Sequence, residues 1–91
     1  MNMQEDDETP GHLVQLDKTL VAAFVARLSP VPLGHVARLE LDALAETRTI
    51  HDGRRLLKLL RYMIEQPDRA AVASVMSAAI ADLELMLPKG S

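Results

Sequence analysis

The chain has no cysteine and no tryptophan, and its aromatics are one phenylalanine and one tyrosine. Without cysteine there are no disulfides and no thiolate metal ligands. With so few aromatics, single-stranded nucleic acid would find little to stack on. Glycine is sparse as well: Gly11, Gly34, Gly53 and Gly90 are all isolated, which excludes a glycine-rich loop that cradles phosphate. No apolar run reaches the ~18 residues of a membrane-spanning helix. The opening MNMQEDDETP lacks the basic and apolar regions of a secretion signal. These absences lead to the expectation of a soluble, cytoplasmic protein with no membrane partner.

Catalytic and metal-binding patterns are missing too. His12, His35 and His51 have no second histidine three or four residues away, the spacing that would put two ligands on one helical face. Asp42 and Glu46 have i, i+4 spacing, but no Glu-x-x-His pair accompanies them, as a di-metal bundle would need. Ser29, Ser74, Ser77 and Ser91 stand outside any G-x-S-x-G context. The sequence therefore predicts no enzyme, no cofactor, no catalytic residue and no metal ligand.

What is present is aliphatic. Hydrophobic residues make up 48% of the 91, dominated by Leu, Ala, Val and Met, a composition that suits helices better than strands. Net charge is −3, yet Glu5, Asp6, Asp7 and Glu8 alone hold four of the thirteen acids, leaving nine acids against ten bases. Residues 1–9 read as a disordered acidic leader, 10–88 as a single helical domain and 89–91 as a tail that could be a cloning scar. A domain this small buries only about 60–65% of the surface its unfolded chain exposes, so help from a partner subunit is expected.

Three helical segments emerge from periodicity. In the first, Leu13, Leu16, Leu20, Phe24 and Leu28 share a face, and Ser29-Pro30-Val31-Pro32 ends the run. Its start has two readings: Thr9 caps a helix with Pro10 at its first position, or the helix begins later with Asp17 as its N-cap. The first reading leaves Asp17 in the middle of the apolar face, where it would need a partner. In the second segment, Val36, Leu39, Ala43, Ile50, Leu57, Leu60 and Ile64 hold one heptad register, with Glu46 and Gly53 also in the seam. The unbroken register favours one long helix over two helices split at Asp52-Gly53. In the third, Gln66-Pro67-Asp68 starts a helix whose residues 70–81 carry no charge. That composition predicts burial on most sides, at the centre of the bundle or in a subunit interface.

The fold expected is all-α: an antiparallel bundle of three or four helices with a long central helical segment, forming a homodimer. The predicted dimer interface comprises Val36, Leu39, Ala43, Glu46, Ile50, Leu57, Leu60 and Ile64 of the seam, with Val72, Ala78 and Leu83 of the last helix. Within Arg48–Arg61 five of the ten bases gather, and Arg54, Lys58 and Arg61 fall on one helical face. Arg54, Arg55, Lys58 and Arg61 are accordingly the candidate partner-binding residues. The leading expectation is a small protein-interaction module, a regulator, antiactivator, antitoxin or chaperone-like adaptor, that binds a protein partner stoichiometrically through its helices. Two alternatives stand beside it: a small DNA-binding regulator using the Arg48–Arg61 cluster, and a structural subunit of a larger helical assembly. A leucine-rich second helix makes nucleic acid the weaker partner.

Overall fold

The computed structural model describes residues 15–88. The acidic leader, the Thr9-Pro10 start, His12, Leu13, Val14 and the Lys89-Gly90-Ser91 tail lie outside the described residues. Four α-helices and one 3-10 turn account for most of the rest, with no strand among the described residues.

The first helix, α1, is Lys18–Leu28. Its N-cap is Asp17, whose carboxylate accepts a hydrogen bond from the Leu20 N–H at 3.0 Å. Leu16 and Asp17 are not helical, so a helix running without interruption from Pro10 to Leu28 does not form. The late start removes the apparent conflict of an acid in an apolar face, because a cap residue sits at the exposed helix end. Val21, Phe24 and Leu28 point inward.

The link to the next helix is more than a helix stop. Val31 and Leu33 are buried in the core, and two arginines hold the loop by its carbonyls. Arg38 donates to the carbonyls of Val31 (2.7 Å) and Ser29 (3.5 Å), and Arg69 donates to those of Pro32 and Leu33. Gly34 then turns the chain into α2, His35–Thr47, with φ +90° and ψ 168°, a conformation open to glycine and strained for other residues.

The long central helix does not form either. The chain breaks at Arg48, which adopts a left-handed conformation (φ 53°), and Thr49 opens α3, Ile50–Met63. The break lies five residues before Gly53, which sits inside α3 and is buried. Local bonds make up for an arginine in this conformation. Its N–H reaches the Leu44 carbonyl at 2.8 Å, and its carbonyl receives the Leu16 N–H at 2.7 Å. Thr49 accepts from the Asp52 N–H (3.2 Å), while the Thr47 hydroxyl donates to the Asp52 carboxylate (2.5 Å). An isolated bridge between Gln15 and Thr49, with Gln15 Nε2 on the Thr47 carbonyl at 2.9 Å, fastens the chain before α1 to this elbow. Gly53 matters for packing instead. A Cβ there would lie 2.9 Å from Leu87 Cδ2 and 3.4 Å from Leu16 Cδ1. Its bare backbone lets both leucines close over α3.

The third segment also starts differently. Pro67–Val72 is a 3-10 turn, and the last helix, α4, is Ala73–Met86. It ends at Leu87, extended (φ −86°, ψ 142°) as the residue before Pro88 must be. Each helix packs on the next in sequence, and α4 returns to lie beside α1. Met76, Ala79, Ile80 and Leu83 enter the shared core with Leu41, Leu44, Leu56 and Leu60. The uncharged stretch is not central within the chain: Ser74, Val75, Ser77 and Ala81 face solvent.

Candidate functional site

All large apolar side chains left exposed among the described residues, Val75 aside, gather on two faces. One lies along α2 and α3. The antiparallel hairpin of these helices leaves an open groove of about 400 Å³ lined by Val36, Glu40, Arg55, Lys58, Leu59 and Tyr62. Val36 and Tyr62 are each 62% exposed, and Leu39, one turn along α2, is 55% exposed. The exposure follows from helical phase. The core takes Ala37, Leu41 and Leu44 from α2, so Val36, Leu39 and Ala43 lie on the flank of that face.

The basic cluster frames this groove unevenly. Arg55 donates to Glu40 of α2 at 2.9 Å, and Arg61 pairs with Glu84 of α4. Arg48 is occupied at the elbow, its guanidinium on the Leu16 carbonyl at 3.4 Å. Arg54 and Lys58, one turn apart, have no carboxylate within ion-pair distance among the described residues. The four candidate partner-binding residues therefore divide: Lys58 offers free charge at the groove, Arg55 is neutralised on its wall, Arg61 is turned towards α4, and Arg54 is unpaired but outside the groove lining, on the Arg61 side of α3.

The second face lies along α1 and α4, around a groove of about 230 Å³ lined by Leu20, Ala23, Phe24, Arg27, Asp82, Leu85 and Met86. Leu20 is 53% and Leu85 84% exposed, the latter the most exposed apolar side chain described. Arg27 and Asp82 pair across it at 3.2 Å.

The heptad seam is split by the break at Arg48. Ile50, Leu57 and Leu60, with Leu83 of α4, belong to the chain's own core, so a second subunit cannot reach them without opening the fold. Ala43, Ile64, Val72 and Ala78 are half-buried, and Val36, Leu39 and Glu46 are exposed. Tyr62 and Leu85 are exposed positions that periodicity did not single out, and Leu20, expected on the apolar face with Leu16, Phe24 and Leu28, is exposed while those three are buried. Leu85 carried a signal, standing two residues from the inward Leu83 and hence about 200° around the helix.

No polar or charged side chain is buried among the described residues, and no group of three His, Asp or Glu side chains there could hold a metal ion. Both grooves are thus apolar floors with charged edges, suited to helix docking. No helix among the described residues is long and apolar enough to cross a membrane. No family model, no curated protein and no solved structure matches the chain.

Proposed function

We propose that the chain is a non-enzymatic interaction module that binds an amphipathic helix of another protein, with acids flanking its apolar stripe, in the α2–α3 groove. The observation that carries this reading is the exposed set Val36, Leu39 and Tyr62 beside the unpaired cation Lys58 on the groove wall. An apolar stripe on the incoming helix would cover the first three, and a flanking glutamate would meet Lys58. A helix that buries about 400 Å² of apolar surface gains roughly 10 kcal/mol at 25 cal/mol per Å². Association costs of about 4–15 kcal/mol offset much of this, leaving at most about 6 kcal/mol, so the affinity expected is tens of micromolar at its tightest. Arg48, Arg55 and Arg61 are already engaged, which supports a short acidic helix as partner over a phosphate backbone that would call on the whole cluster.

The test uses a 15-residue helical peptide with leucines at i, i+3, i+4 and i+7 and glutamates on both flanks, its lysine-for-glutamate twin, and a 16-base-pair DNA duplex. The acidic peptide is expected to bind at tens to hundreds of micromolar and to shift the amide signals of Val36, Leu39, Leu59 and Tyr62, with about tenfold loss in Lys58→Glu. Equal binding of both peptides, binding of neither, or preference for the duplex would overturn the assignment.

A further inference from the structure

The α1–α4 face has the features of a surface that meets its own copy. Leu85 stands almost fully exposed directly beside a groove walled by Leu20, Ala23, Phe24 and Met86. A protrusion next to a recess of side-chain size on one face is self-complementary under a two-fold axis, because each copy's Leu85 can enter the other's groove. Charge allows it. The groove's two ionic side chains, Arg27 and Asp82, neutralise each other at 3.2 Å, and Glu84 of α4 is paired with Arg61 of α3. Asp17, at the end of this face beside Leu20, Leu85 and Met86, spends its carboxylate on capping α1, and either member of the Arg27–Asp82 pair can exchange partners across the axis. Exposed neighbours of Leu20 and Leu85 on these helices include small residues: Ala23 of α1 and Ser74, Ser77 and Ala81 of α4. They let helices approach closely.

The size also fits. At 1.5 Å rise per residue α1 and α4 are about 16 and 21 Å long, and two helices side by side span about 20 Å. Two such faces together bury roughly 600–850 Å², the size of a weak, transient interface. The α2–α3 groove differs, since its unpaired Lys58 would meet the Lys58 of a second copy.

We infer that the chain forms a two-fold homodimer through the α1–α4 face, with Leu85 of each protomer seated in the partner's groove between α1 and α4. This does not rest on the peptide-binding reading, and the two fail separately. The test is sedimentation equilibrium of the full chain from about 5 μM to 1 mM, with Leu85→Glu, Leu20→Ser and Val36→Glu. A monomer–dimer equilibrium in the micromolar range is expected. Leu85→Glu, whose helical content is checked by circular dichroism, should weaken it at least tenfold, and the milder Leu20→Ser should weaken it measurably. Val36→Glu should leave it unchanged. A chain that stays monomeric to 1 mM overturns the inference, as does any dimer that survives Leu85→Glu or dissolves in Val36→Glu.

Discussion

The two grooves are built alike and charged differently. Each lies between antiparallel helices, and each exposes large aliphatic side chains: Val36 and Leu39 on one, Leu20 and Leu85 on the other. Their edges separate them. The α2–α3 groove has one ion pair, Arg55–Glu40, and one cation left over, Lys58; the lining of the α1–α4 groove has one ion pair, Arg27–Asp82, and no other charged side chain. Apolar area alone gives adhesion without choice of partner, whereas charge at the rim decides which surfaces may approach. Neutrality permits a second copy, and surplus positive charge favours an acidic stranger.

The first way to break the comparison is to ask whether these side chains are surface or misplaced core. Leu83→Ala and Leu60→Ala remove fully buried side chains and should cost about 2–5 kcal/mol each in urea unfolding. Equal losses from Leu85→Ser or Tyr62→Ser would mean that the outward faces serve folding. At protein concentrations below dimer formation those two should stay within about 0.5 kcal/mol of the parent.

A smaller effect concerns how each face is begun. Asp17 caps α1, and Thr49 caps α3, so alanine at either should cost about 1 kcal/mol. Thr49→Ala should cost the more, because its hydroxyl also lies 3.2 Å from that of Thr47 in the elbow. A neutral Thr49→Ala would show that the left-handed turn at Arg48, and not the cap, ends the seam.

The helical class was legible from composition and periodicity, and so was Asp17 as one of two readings. The break in the central segment was not placed correctly, because Gly53 is the residue type best suited to end a helix and stands in the same stretch. In the fold, an arginine takes the left-handed position at 48, supported by Leu16 from a segment 32 residues away, a tertiary contact that no local rule contains. The usable local signal was Thr49 with Asp52 three residues on, the pattern of a capped helix start. The basic cluster was visible as a run of residue types. Which of its members remain unpaired depends on Glu40 and Glu84, brought in from two other helices. Leu33 and Val31 were hidden because a Pro-rich linker reads as a stop, while here Arg38 and Arg69 satisfy its carbonyls and allow it inward.

The most direct test of two grooves with different occupants is a pair of titrations on one ¹⁵N-labelled sample of the full chain. Dilution from about 1 mM should move the amide signals around Leu20, Ala23 and Leu85. Addition of the acidic amphipathic peptide at low protein concentration should move those around Val36, Leu39, Leu59 and Tyr62. Two separate sets of shifts are the predicted result. A single set that responds to both dilution and peptide would contradict the account, since one face would then serve either occupant.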